Sequence, residues 1–168
     1  LQQIQDMLIT PLSNVELALA FIIGGAVRGF VNGILVLLLG IFIVGMPVEK
    51  PFSVILIIFM VSWAFSSIGL VIGIMAQTWD NIATMVNFFI TPLIFLGGVF
   101  YSINMLPGFW RTISLVNPIY YVINGLRQSV LGVGDTPFST SLTASIFMTL
   151  LFSLIGIFLF HKGYRIKS

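Results

Sequence analysis

The chain has 168 residues, of which 58% are hydrophobic and 7% are charged, whereas about 25% of residues are charged in ordinary soluble domains. This composition argues against a soluble domain and predicts an all-α integral membrane protein. The net charge of +2 is too small to indicate nucleic-acid binding. The absence of cysteine excludes a disulfide framework and a thiolate metal site.

The first segment, residues 1–18, mixes polar and apolar side chains. Its pattern predicts a short amphipathic helix, a turn at Thr10 and Pro11, and the start of a second helix. The chain opens at Leu1 without an initiator methionine or a signal-peptide pattern. We therefore expect a fragment of a longer protein, with helices missing upstream.

Four long stretches then lack charged residues almost completely. Each is long enough, or nearly so, for a bilayer-crossing helix, which needs about 20 apolar residues. The predicted spans are residues 20–44, 52–76, 82–100 and 139–160.

The tail, residues 161–168, carries three cationic side chains next to the last span. The positive-inside rule places this tail in the cytoplasm. By alternation, residues 1–18 are also cytoplasmic and the long connector, residues 101–136, is external.

Small side chains recur at helical spacing on three of the spans, a pattern that lets helices approach closely. They predict packing within one bundle, or alternatively a homodimer interface or the lining of a substrate path. The glycines are Gly25, Gly29 and Gly33 on the first span and Gly69 and Gly73 on the second, and the fourth span carries Ser141, Ser145, Thr149 and Ser153.

The third span holds the most polar group of intramembrane residues, with Asn87 and Thr91 on one face next to Thr84. Asn87 is expected either to form an interhelical hydrogen bond or to contact a substrate. Pro92 removes a backbone donor and should kink the helix.

Ionisable residues are absent from the middle of every predicted span, and the single histidine, His161, lies at the cytoplasmic end. This distribution disfavours an ion-coupled carrier and an intramembrane hydrolase. The chain also lacks a GxxxxGK[ST] loop, so it is not itself an ATPase. Energy for any uphill transport would have to come from a partner.

The external connector is too apolar for an ordinary loop and too polar for a spanning helix. Pro107 opens a short helix that carries Trp110, a residue suited to the membrane interface. Asn117 and Pro118 predict the start of a second helix that ends near Leu131. The pair predicts a re-entrant helical hairpin, which would act either as a structural plug or in the exit of lipid or substrate.

The stretch from Thr91 to Gly132 resembles the ABC-2 type permease family, the membrane subunits of bacterial ABC exporters. Residues 6–25, DMLITPLSNVELALAFIIGG, resemble the cytoplasmic coupling helix and the following membrane helix of that family. The positions that match the connector pattern are Pro92, Gly97, Gly98, Phe100, Leu106, Pro107, Trp110, Asn117, Pro118, Tyr121 and Arg127.

The resemblance implies a six-helix fold when complete, of which four spans are present here. It implies that the permease pairs with a second copy in the bacterial inner membrane and docks on an ATP-binding cassette subunit, which holds ATP and Mg. The residues implied in this coupling are Asp6, Met7, Leu8, Thr10, Pro11, Ser13 and Glu16.

The implied function is a translocation path for a hydrophobic or lipid-linked substrate, such as a drug, a polysaccharide or a glycolipid. The alternative is a non-transporting membrane scaffold or a channel-like subunit. Aromatic and aliphatic side chains suit all of these substrates equally, so the sequence does not choose among them.

Overall fold

A computed structural model of the chain describes residues 13–76 and 78–162. These residues form helices joined by short loops, and they contain no strand. The helices are α1 (Asn14–Val44), α2 (Pro51–Met75), α3 (Trp79–Met85), α4 (Thr91–Leu96), α5 (Gly108–Val116), α6 (Pro118–Leu131) and α7 (Phe138–His161).

Four helical stretches within the described residues are long and apolar enough to cross a membrane. They are α1, α2, α7 and a third span, Trp79–Leu96, in which a π-helical turn joins α3 to α4. The all-α membrane fold predicted from the sequence is thereby confirmed.

Helix α1 begins at Asn14, within the segment where the sequence predicts a second helix start, and continues into the span predicted from residue 20. A capping box explains this start: the backbone N–H of Ser13 donates to the Glu16 carboxylate at 2.7 Å. The Glu16 N–H in turn donates to the Ser13 hydroxyl at 3.3 Å. Helix α1 ends at Val44, and the next residue, Gly45, closes the last turn with a φ of 68°.

The third span is also displaced from its predicted range, because it ends at Leu96 instead of continuing to residue 100. Gly97 and Gly98 turn the chain at this point, and Gly98 has a φ of 79°. A left-handed backbone of this kind ends a helix and is adopted readily only by glycine.

Helix α2 lies at the centre of the bundle and contacts α1, α6 and α7. Its side chains Val54 and Ile57 are completely buried, and Ala64 is nearly so. The third span is by contrast largely exposed, and its contacts with other helices are made with α2 and α6.

The two ends of the bundle are closed by different clusters. At the tail end, Leu17 and Ala18 of α1 pack with Phe160 of α7. At the connector end, Val54 and Ile58 of α2 pack with Val130 of α6. The spans therefore alternate in direction.

The linker between α1 and α2 is joined to the end of α6 by two backbone hydrogen bonds. The N–H of Glu49 donates to the Val130 carbonyl at 3.2 Å, and that of Lys50 donates to the Ser129 carbonyl at 3.0 Å. These bonds satisfy carbonyls that the end of a helix leaves without partners. The linker and the connector consequently lie at the same end of the bundle.

Candidate functional site

An apolar groove of about 720 Å³ runs between α1, α2, the third span and α6. Its walls consist mainly of aliphatic side chains, and it reaches from Gly29 and Phe65 to Met46 and Leu131 at the connector end. A concave apolar surface with few polar groups is the usual form of a binding site for a hydrophobic ligand. We therefore take this groove as the candidate functional site.

Three polar side chains line the groove. Ser62 donates its hydroxyl to the Ile58 carbonyl at 2.8 Å, so its donor is used within α2. Asn32 is exposed, and its side chain forms no hydrogen bond with another described residue. Arg127 is the one charged residue of the lining.

Arg127 joins α6 to the end of the third span and to the loop before α7. Its guanidinium donates to the carbonyls of Gly98 and Tyr101, the latter at 3.4 Å. It also forms an ion pair with Asp135, with 3.4 Å between Nη1 and Oδ2.

Asp135 accepts further hydrogen bonds from the start of the connector. The Ser102 hydroxyl donates to its Oδ1 at 2.5 Å, and the Ile103 N–H donates to its Oδ2 at 3.2 Å. The Asn104 amide donates to Oδ1 at 3.1 Å. The carboxylate therefore gathers donors from two separate parts of the connector.

A second cluster of polar side chains adjoins the Arg127–Asp135 pair and centres on Asn124, which is completely buried. Its Nδ2 donates to the Thr136 hydroxyl at 2.9 Å and to the Ser141 hydroxyl at 2.9 Å. Its Oδ1 accepts from the Asp135 N–H at 2.7 Å. Full use of both amide atoms makes this buried side chain compatible with an apolar surrounding.

Tyr120 completes the group by donating its hydroxyl to Thr136 at 3.4 Å. Burial raises the pKa of the Tyr120 hydroxyl above its ordinary value, although the hydrogen bond to Thr136 opposes this rise. The hydroxyl is therefore protonated at neutral pH.

The predicted hairpin residues occupy the two helices of the connector. Pro107 precedes α5, on which Trp110 is about half exposed. The Trp110 ring lies edge to face with the Phe109 ring, with 5.5 Å between the ring centroids. Asn117 caps α6 by accepting from the Ile119 N–H at 3.0 Å, and Pro118 follows it in the first turn.

Asn117 has a second role, because its Nδ2 donates to the Leu93 carbonyl of the third span at 2.6 Å. Tyr121 stabilises the corner between the two connector helices by donating to the Leu115 carbonyl at 2.7 Å. The connector is thus tied both to itself and to the third span.

Most of the predicted coupling residues lie outside the described part of the chain. These are Asp6, Met7, Leu8, Thr10 and Pro11. Ser13 and Glu16 are described, are exposed, and form the capping box of α1.

The glycines of α1 meet α2 directly. A Cβ atom at Gly29 would lie 3.2 Å from the Ser62 side chain, and one at Gly33 would lie 2.6 Å from Cγ2 of Ile58. One at Gly25 would overlap the Ser66 hydroxyl, which donates across the interface to the Ile22 carbonyl at 2.8 Å. This glycine stripe therefore packs within the chain.

Gly69 and Gly73 differ, because no other described side chain lies within 4 Å of a Cβ atom built on either of them. The stripe on α7 faces α6 at Ser141 and α2 farther along the helix, where Thr149 donates to the Met60 carbonyl at 3.2 Å. Ser153 accepts from the Trp63 indole at 3.0 Å.

The polar residues of the third span lie at the π-helical turn Val86–Ile90. Asn87 is exposed and its side chain has no hydrogen bond to another described residue, while Thr91 donates its hydroxyl back to the Val86 carbonyl at 3.2 Å. Pro92 lies in the first turn of α4, directly after the π-helical turn. The wide turn thus precedes a residue that lacks an N–H donor.

Asp135, Asn124 and Ser102 were not singled out from the sequence, although they hold the connector together. The available signal was weak, since each is a common loop or helix residue. Their partners are distant in the chain, and only the folded bundle brings them together.

Comparison with known proteins agrees with this architecture. The family profile described as "ABC-2 type transporter" matches residues 4–131. The chain is 35% identical over 167 residues to the inner membrane transport permease YadH of Escherichia coli (strain K12), an alignment that covers 99% of the chain and 65% of YadH. The chain therefore spans less than two-thirds of the length of this relative.

A shorter stretch of 69 residues is 28% identical to nodulation protein J of Rhizobium meliloti (strain 1021), covering 41% of the chain and 26% of that protein. No solved structure matches the chain. The four apolar helices and the YadH match assign a multi-pass protein of the inner membrane. The family match over residues 4–131 shows that the chain belongs to the ABC-2 type transporter family.

Proposed function

We propose that this chain forms part of the translocation path of an ATP-driven exporter for a hydrophobic or lipid-linked substrate. The apolar groove between α1, α2, the third span and α6 is the observation that carries the proposal. Its aliphatic walls suit an apolar molecule or an apolar chain, and they offer no carboxylate to a coupling ion.

The energy in this proposal comes from a separate ATP-binding cassette subunit that binds ATP and Mg. Ser13 and Glu16 lie at the tail end of the bundle, where α1 begins, and both are exposed. A subunit that pushes on the start of α1 would transmit the movement to α2 through the close glycine contacts. The connector end then faces the outside, with Trp110 at the membrane interface.

We also propose that the permease works as a homodimer. The third span is largely exposed, and Asn87 lies midway along it without a partner among the described residues. An unpaired amide at membrane depth is unfavourable, and a second copy would satisfy it across a two-fold axis. Self-crosslinking of Asn87→Cys, with Phe147→Cys on α7 as the control, tests this arrangement, and failure of Asn87→Cys to crosslink contradicts it.

The groove is tested by filling it. Val36 lines the groove and is 69% exposed, whereas Leu150 is 58% exposed on α7 and does not line it. In the full-length permease reconstituted with its ATPase subunit, Val36→Trp should abolish export of a fluorescent lipid or drug. Leu150→Trp should leave export unchanged, and equal export by the two variants contradicts the proposal.

The coupling is tested by crosslinking from Ser13→Cys. Because the sequence contains no cysteine, this substitution introduces a single thiol into the chain. It should capture the ATPase subunit in native membranes, whereas Val133→Cys at the connector end should not. Absence of capture from Ser13→Cys refutes the docking. If the permease leaves ATPase activity unaltered, the scaffold alternative is favoured instead.

A further inference from the structure

The third span ends in a segment that forms one wall of the groove. Ile94 and Val99 line the groove, as do Ile123 and Leu126 of α6. A movement of the segment relative to α6 therefore changes the shape of the groove. The contacts that hold it there decide whether the groove can open.

Arg127 supplies the polar contact between this wall and α6. It donates to the carbonyls of Gly98 and Tyr101 and thus binds the chain just after the third span ends. Its side chain is 21% exposed, so it is only partly shielded from the surroundings. Because the guanidinium binds two carbonyls at once, it fixes both the position and the direction of the segment.

Asp135 keeps the guanidinium in place and holds the next part of the same segment. It accepts from Ser102, Ile103 and Asn104 as well as from Arg127. The ion pair is a single contact of 3.4 Å, longer than the two parallel contacts of about 2.7–2.9 Å in the strongest arginine–carboxylate pairs. The ion pair by itself is therefore weaker than a bidentate arginine–carboxylate pair.

We infer that Arg127 and Asp135 form a latch that holds residues 98–104 against α6, and that the latch opens when the groove widens during transport. The inference rests on the proposed function for its role in transport, although the latch itself is a property of the fold. Arg127 and Asp135 are thus positioning residues that act through the connector.

The first experiment measures hydrogen exchange in the full-length permease in lipid nanodiscs. Hydrogen bonds to a charged group are strong enough that their loss should raise exchange in residues 98–104 by about tenfold or more. Arg127→Gln should show this rise, while exchange in residues 118–126 stays unchanged. Arg127→Lys should restore part of the protection.

Arg111 provides the matched control, since it is exposed on α5 and forms no ion pair with a described residue. Arg111→Gln should leave exchange at 98–104 unchanged. A rise spread over the whole bundle in Arg127→Gln would indicate general destabilisation and would overturn the latch. Unchanged exchange at 98–104 would overturn it as well.

The second experiment replaces the latch with a covalent bond. The Ser102 hydroxyl and the Asp135 carboxylate are in direct contact, so Ser102→Cys with Asp135→Cys places one thiol on each of two neighbouring side chains. Oxidation should form a disulfide and abolish stimulation of the ATPase by the permease, and reduction should restore it. Equal stimulation in both states refutes opening of the latch during transport.

The two experiments separate the inference from the proposed function. A permease that stimulates no ATPase in any variant contradicts the proposed function, whereas the exchange measurement still decides whether the latch exists. A permease that stimulates the ATPase but shows no response to the disulfide contradicts the latch alone.

Discussion

Substitution of Gly33 by alanine should destabilise the bundle at one defined contact. The new Cβ would lie 2.6 Å from Cγ2 of Ile58, which is 8% exposed and belongs to a packed cluster. A β-branched side chain has little freedom to rotate on a helix, so the helices themselves must separate. Overpacking of this kind costs about 1–3 kcal/mol, against which the better helix propensity of alanine offsets about 1 kcal/mol at most.

Gly69→Ala is the matched control, because no atom from another helix lies within 4 Å of its Cβ position. It should leave the stability unchanged or raise it slightly. The two variants should therefore differ by about 1–3 kcal/mol in the free energy of unfolding. Denaturant titration of the purified permease in detergent, followed by tryptophan fluorescence, measures this difference.

A double-mutant cycle identifies the contact itself. Ile58→Ala removes Cγ2 and should reduce the additional loss caused by Gly33→Ala, with a coupling energy of about 0.5–3 kcal/mol. Ile58→Val retains Cγ2 and should give no such relief. If Gly33→Ala is as stable as Gly69→Ala, the close approach of α1 to α2 at this position is refuted.

Three further variants test the connector. Asn117→Ala should lower the free energy of unfolding by about 1–2 kcal/mol because it removes the cap of α6. Asn117→Asp should retain the cap while losing the hydrogen bond to the Leu93 carbonyl, and thermal denaturation compares the two variants. Gly132→Ala should lower the melting temperature because Gly132 has a φ of 72° and a Cβ would collide with the Glu49 carboxylate. If Glu49→Ala restores the melting temperature, the collision and not backbone strain is the main cause. Because the pKa of Tyr120 is raised in the folded state, the free energy of unfolding should fall as the pH rises past about 10, and Tyr120→Phe should make that fall shallower in alkaline titrations.

The parts of the fold that were predictable from the sequence are those set by local chemistry. Long charge-free stretches predicted four spans, and the described residues contain four helical stretches long and apolar enough to cross a membrane. Asn117 followed by Pro118 indicated the start of α6, and Gly132 indicated its end. In each case the signal lies within a few residues of the feature, so tertiary packing did not have to be known.

The candidate site was harder to predict from the sequence because it depends on contacts between distant segments. Asp135 looked like an ordinary loop carboxylate, yet it binds Ser102 and Arg127. The glycine pattern was equally ambiguous, since Gly29 meets α2 whereas Gly69 meets no described residue. Spacing shows that a helix face can be approached closely, but only the assembled bundle shows which face is covered.

The two hydrogen bonds between the linker and the end of α6 have a consequence for biogenesis. Glu49 and Lys50 are synthesised and inserted with α1 and α2, long before Ser129 and Val130 leave the ribosome. Until α6 arrives, these two amide donors must be hydrated or held by the insertion machinery. These two donors become paired only when the connector is in place, so we expect a tag inserted between Val48 and Glu49 to impair maturation even though Glu49 and Lys50 are exposed.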